Sequence, residues 1–212
     1  KIAFNGEYGV MGDLGMHACH MVLRAGWQPT NVRAILSNIV KERLEPPPHQ
    51  PSTKNPEPRT RVPCETWDNA TLLCETGGPD QAAFPWTMKV QRISPGQKNN
   101  WYIEILGTGA SARWSSTTAN ILEVMRVHDG EQLWQQVQMG YESAFKTVTG
   151  GIFQFGFTDA MLQLWAAFLY ELHHGKPLTR FAGCATPDEA AVSHRLFTAA
   201  LASQNQRSTE AV

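Results

Sequence analysis

The sequence predicts an α+β fold built on a largely antiparallel sheet, and two observations carry that reading. Strand candidates follow one another too closely for crossover helices, because a parallel crossover needs a dozen or more residues. The C-terminal third, by contrast, is helical in pattern and punctuation. The composition agrees with a folded chain: 42% of its 212 residues are hydrophobic and 17% charged, which argues against wholesale disorder. Eighteen Lys plus Arg against nineteen Asp plus Glu leave a formal charge of -1, so the electrostatic footprint of a nucleic-acid binder is missing.

The first element is a helix from about Gly12 to Gly26. Asp13, His17, His20 and Arg24 fall at i, i+4, i+7 and i+11, a narrow polar stripe between two apolar flanks, Leu14, Ala18, Met21, Val22 and Ala25 on one side and Met16, Cys19 and Leu23 on the other. Such a helix buries most of its surface and turns its stripe to a cleft or a partner. Gly6, Gly9, Gly12 and Gly15 crowd its approach, as where backbone turns sharply or comes close to a ligand. Gly26 ends the helix, Pro29 blocks continuation, and Val32 to Arg43 suits a long strand.

From about 44 to 66 the chain is a proline-rich surface excursion; seven of the thirteen prolines lie between Leu44 and Pro63, with no apolar periodicity, and a mobile loop is expected. Strands follow at Ala70–Glu75, Ala83–Ile93, Trp101–Leu106 and Ser111–Ser116, separated by Gly77-Gly78-Pro79-Asp80 and Ser94-Pro95-Gly96. Thr158 starts an apolar, buried helix that stops at Gly175 with Pro177 beyond. Its core, Ala160–Leu172, is shorter than the ~20 residues a membrane span requires. Thr186-Pro187-Asp188-Glu189 is a capping box opening the last helix, and the tail after Gln204 is expected to fray.

Gly107-Thr108-Gly109-Ala110-Ser111-Ala112 has the spacing of a dinucleotide fingerprint, yet β-favouring residues follow it and no βαβ unit surrounds it. It reads as a hairpin turn in which Gly109 is needed for the turn conformation, and no cofactor-binding residue is assigned in this chain. Cys19, Cys64, Cys74 and Cys184 lack a Cys-x-x-Cys spacing, so reduced thiols in a cytoplasmic protein are the expectation, with a Cys64–Cys74 disulfide as the alternative. His173-His174 suit a helix C-terminus; His194 reads as structural, His49 and His128 as loop residues, and Trp101, Trp114 and Trp165 as core or interface.

Three readings of the stripe stand side by side. A carboxylate one turn from an imidazole can fix its tautomer and poise it as acid or base, which makes Asp13 and His17 catalytic candidates with His20 nearby. Alternatively, Asp13 caps the helix and the histidines are satisfied polar groups at an interface. A metal site from Asp13, His17 and His20 has the spacing but no identifiable fourth ligand.

Gly12-Asp13-Leu14-Gly15-Met16-His17 resembles the C-terminal domain of the Gfo/Idh/MocA oxidoreductases, the glucose-fructose oxidoreductase and inositol dehydrogenase family. Thr66-Trp67-Asp68-Asn69-Ala70, Tyr102 to Thr108, Gly150 to Phe153 with Phe157 to Ala160, and Thr186 to Ala190 with Ser193-His194-Arg195 extend the resemblance along nearly the whole chain. It implies an open sheet with helices on one face, the other face serving homo-oligomerisation. It also implies Asp13 and His17 as the catalytic pair contacting a sugar or polyol, with Tyr8 and His20 as further substrate-binding candidates. NAD or NADP would be held by an N-terminal nucleotide-binding domain that precedes this region, and residues 1–212 would be a single C-terminal domain, inactive alone. A non-enzymatic binding or oligomerisation module derived from the same family is the alternative.

Overall fold

The computed structural model describes residues 6–45, 60–78, 81–127, 130–139 and 143–212, which form two compact units, 1–94 with 185–212 and 95–184. The proline-rich stretch from 46 to 59, His49, His128 and the Pro79-Asp80 turn lie outside the described residues.

The first unit is built on a four-stranded antiparallel sheet ordered β10-β1-β4-β5, where β1 is Pro29–Ser37, β4 is Asn69–Gly78, β5 is Gln81–Gln91 and β10 is Glu210–Ala211. Register puts Val32 opposite Cys74, Ala34 opposite Leu72 and Leu36 opposite Ala70, and those three in turn opposite Trp86, Met88 and Val90. Because successive side chains alternate across a strand, all nine share one face, and all but Trp86 are buried. The opposite face shows Ile35 at 62% and Leu73 at 51% exposure. The sheet is therefore open on one side, as the resemblance implied.

Two helices, α1 (Met16–Arg24) and α3 (Pro187–Gln206), join the buried face in one core. Cys19 and Leu23 come from α1, and Val192, Leu196, Phe197, Ala199 and Ala200 from α3. The predicted capping box is present: the Thr186 hydroxyl accepts the Glu189 N–H at 3.2 Å and the Glu189 carboxylate accepts the Thr186 N–H at 2.9 Å. Ser203, fully buried on α3, ties the helix to the sheet by accepting the Ala34 N–H at 2.9 Å.

Three expectations change here. The predicted strand from Val32 to Arg43 is two strands, because the buried Asp68 carboxylate takes the N–H groups of Ile39 and Val40 at 3.0 and 2.8 Å and withdraws them from a ladder. The second piece, β2 (Glu42–Leu44), pairs with β3 (Arg61–Pro63), so the excursion has a hairpin at its base. The tail does not fray: Arg207 stops α3 at φ 57°, β10 pairs with the free edge of β1, and Val212 donates to the Thr30 carbonyl at 3.1 Å.

The second unit is a meander of β6 (Tyr102–Leu106), β7 (Ala110–Ser115), β8 (Ile121–Arg126) and β9 (Trp134–Gln138), followed in sequence by α2 (Phe157–His174). All its pairings are antiparallel. Gly175 ends α2 at φ 71°, the left-handed stop anticipated, with His173 and His174 in the last turn. Against expectation α2 is not buried: only Ala167 is enclosed, and Trp165 is 59% exposed. No disulfide joins the cysteines, which removes the Cys64–Cys74 alternative.

Candidate functional site

The polar stripe begins in a π-helical turn, Met11–Gly15, that runs without a break into α1. The Met16 N–H reaches back to the Met11 carbonyl, and such i to i+5 turns recur at functional sites. Two glycines permit its position. Gly9, at φ 57°, has its Cα so close to Trp67 that a Cβ would stand 2.7 Å from the Trp67 carbonyl oxygen, whose acceptance of the Val10 N–H at 2.9 Å anchors the turn. At Gly15 a Cβ would meet the Phe197 ring at 2.9 Å, so the turn is seated directly on α3. The glycines thus serve close contacts within the protein.

On this platform Asp13 and His17 are both exposed, one turn apart. Arg92, just beyond β5, grips the Asp13 carboxylate: Nε donates at 2.9 Å and Nη2 bonds the same oxygen, Oδ2. The Arg92 side chain is 18% exposed and that of Asp13 46%, so a largely enclosed guanidinium fixes a carboxylate that still meets solvent. Arg92 is itself placed by its backbone N–H, which donates to the Asp68 carbonyl at 2.9 Å. A carboxylate so held is an oriented acceptor for a hydroxyl, and the neighbouring imidazole is accessible for proton exchange.

The lower half of the stripe is engaged within the fold. His20 Nδ1 and Arg24 Nη2 each lie 3.1 Å from Glu189 Oε2, and Arg24 Nε lies 2.9 Å from Oε1. Burial pushes the Glu189 carboxyl up, but the Thr186 amide, Arg24 and His20 outweigh it and hold the group below the usual carboxylate value. Tyr8 is likewise turned to α3: its hydroxyl pairs with Thr198 Oγ1 at 2.8 Å and its ring meets Phe197 and His194 at centroid distances of 5.8 and 5.6 Å. The structure therefore separates the four candidates. Asp13 and His17 face outward, while Tyr8 and His20 make contacts that seat α1 and the preceding turn on α3.

Neither Arg92 nor Glu189 was found as a site residue from sequence. Glu189 was legible only as a capping residue, and Arg92 carries no local signal. Among the described residues no group of three or more His, Cys, Asp or Glu is placed to hold a metal ion. A groove of about 410 Å³ between α3 and β10, lined by His194, Arg195, Thr198 and Glu210 among others, includes none of Asp13, His17 and His20.

Within the Gly107–Ala112 segment, residues 107–109 form the turn between β6 and β7, closed by the Gly107 N–H donating to the Ala110 carbonyl at 3.0 Å, and the rest already belongs to strand β7. A dinucleotide does not fit that arrangement, which has no helix N-terminus to receive a pyrophosphate. The glycine the turn demands is Gly107, where a Cβ would lie 2.7 Å from the Ala110 oxygen; at Gly109 a Cβ meets nothing, which corrects the expected role of Gly109.

No protein-family model matches the chain. No curated protein matches it. Solved structures do. An oxidoreductase domain protein from Kribbella flavida is 23% identical with a TM-score of 0.72, over 96% of this chain and 51% of its own. Levoglucosan dehydrogenase in complex with NADH and L-sorbose is 19% identical with a TM-score of 0.71, over 98% and 50%. The super-repressor mutant of Gal80p from Saccharomyces cerevisiae is 16% identical with a TM-score of 0.60, over 96% and 49%. The chain thus spans about half the length of the structures it matches. Its fold is the one found in oxidoreductases of the Gfo/Idh/MocA type, and the resemblance seen in the sequence holds at the level of fold.

Proposed function

We propose that this chain is the C-terminal, substrate-binding and catalytic part of an NAD(P)-dependent oxidoreductase acting on a sugar, polyol or related hydroxyl or carbonyl compound. The observation that carries the reading is the clamp of Arg92 on Asp13, held on a π-helical turn, beside an exposed His17 in the first turn of α1, in a fold shared with a structure that holds NADH and L-sorbose. In this reading the Asp13 carboxylate receives a substrate hydroxyl, Arg92 keeps that carboxylate aimed, and His17 passes a proton to or from the reacting oxygen. NAD or NADP supplies hydride chemistry when bound, and the described residues of this chain offer it no phosphate loop. The isolated chain is then inactive. The open sheet face bearing Ile35 and Leu73 is the surface for self-association, and a monomer at all concentrations in sedimentation would remove that part of the reading.

The test is His17→Ala in the whole protein. Turnover should fall by about 10²–10⁴-fold, the usual worth of a general acid or base, with NADH affinity nearly unchanged. Loss of NADH binding instead, or unchanged turnover, overturns the assignment. The second reading, a non-enzymatic binding or assembly module, draws on the match to a structure whose name is that of a repressor. It predicts that the whole protein binds a sugar ligand with no turnover of NADH or NADPH.

A further inference from the structure

We propose that the exposed face of α2 is a homodimer contact, in which the α2 helices of two copies of this chain pack antiparallel. Phe157, Met161, Leu164, Trp165, Phe168 and Leu172 stand at i, i+4, i+7, i+8, i+11 and i+15, which places all six within about 100° of the helix circumference. They are 72, 41, 49, 59, 47 and 73% exposed, so the stripe runs open from the first turn to the last. Large apolar residues that recur at alternating steps of three and four are the pattern of a seam between paired helices.

The other side of the helix already has its partners. Gln163 exchanges two hydrogen bonds with the backbone of Phe145, at 2.9 and 2.8 Å, and the Tyr170 ring meets the Phe145 ring at a centroid distance of 5.8 Å. Ala167, the buried residue of α2, lies on that same side. Both acidic groups of the helix are engaged as well. Asp159 accepts the Gly156 N–H at 2.9 Å, and Glu171 accepts the Cys184 N–H at 2.6 Å. The stripe itself carries no charge.

Size and chemistry select the occupant. At roughly 200 Å² for each large side chain, these exposures leave on the order of 600 Å² open, most of the ~800 Å² that each partner contributes to a standard interface. An anionic lipid surface calls for Lys or Arg flanking the apolar face, and α2 has neither. A charged partner would meet no counter-charge on the stripe. A second copy brings the same uncharged seam, and two-fold symmetry then sets Phe157 of one copy beside Leu172 of the other, with Leu164 and Trp165 nearest the axis. The antiparallel sense also places the first turn, with Asp159, at the other copy's last turn, with His173 and His174, and opposes the two helix dipoles. This surface belongs to the second unit and is distinct from the sheet face bearing Ile35 and Leu73.

The experiment is sedimentation velocity of the full chain from about 1 to about 100 μM, in an Ile35→Lys background that takes the sheet face out of the measurement. That chain should pass from monomer towards dimer as concentration rises. Leu164→Glu with Phe168→Glu should weaken the dimer at least about a hundredfold, because two charges would enter the seam, and Trp165→Gln about tenfold. An Ile35→Lys chain that stays monomeric over the whole range overturns the proposal. So does a dimer that the double variant leaves unchanged. Flotation of a chain that is monomeric in solution with phosphatidylcholine vesicles containing phosphatidylglycerol overturns it in favour of a membrane surface. If the double variant loses its helical circular dichroism, Trp165→Gln decides, and an unaltered dissociation constant there overturns the proposal.

Discussion

Helices α3 and α2 make opposite use of their residues. In the first unit α3, interrupted by Ser, Gln, His and Arg, buries seven side chains; in the second α2, apolar over most of its circumference, buries only Ala167. Hydropathy alone ranks them the wrong way round. What separates them is complementarity: α3 sets Leu196, Phe197 and Ala200 against the even-numbered residues of β1, and Ser203 against a backbone amide the sheet leaves open. The contrast also locates the chemistry. The π-helical turn and the start of α1 that continues it can hold Asp13 and His17 in a fixed presentation because Gly15 rests on Phe197, a fully buried ring.

The sharpest way to test that dependence is Phe197→Ala. Removing a fully buried aromatic from a core costs about 3–5 kcal/mol, and here it also takes away the seat of the turn. Chemical denaturation should show that loss in the midpoint, and activity of the whole protein should fall further than the unfolded fraction accounts for. A destabilisation under about 1 kcal/mol would mean that the core of the first unit is not what positions the turn.

Glu189→Gln probes the same contact from its polar side, at about 1–2 kcal/mol at neutral pH, because the enclosed Arg24 guanidinium loses its counter-charge. The folded carboxyl titrates below its ordinary 4.5. Its contribution is therefore present above that value and lost as pH falls through the folded one. Wild type and variant should differ at pH 7 and converge in acid below pH 4.5, read by thermal midpoints across pH. A difference that persists undiminished in acid would assign the effect to packing alone.

Local rules made much of this fold legible, and each success has a local cause. Thr186 and Glu189 cap one another across three residues, Gly175 stops α2 through its own φ, and antiparallel pairing followed from loops too short to cross over. The failures are long-range. Arg92 meets Asp13 across 79 residues and Glu189 meets His20 across 169, so the stripe could be seen while its partners could not. The return of β10 to β1 depends on a free strand edge that no window of the tail reveals. β8 and β9 escaped notice because Glu123 and Gln136 interrupt them with polar residues paired across the sheet.

The smallest expected effect bears on α2. Trp165, at 59% exposure, touches Phe168 edge-on at a centroid distance of 6.1 Å, and that contact is worth little beyond the area it covers. Trp165→Gln should therefore move stability by no more than about 0.5 kcal/mol, the range of surface substitutions free of special features. Thermal denaturation of the full chain at low concentration, where association contributes least, reads it directly. A loss above about 1 kcal/mol under those conditions would place the tryptophan in a packed environment and erase the difference between the two helices. A null effect leaves α3 as the helix whose packing sets stability, and α2 as an apolar surface that stability does not register.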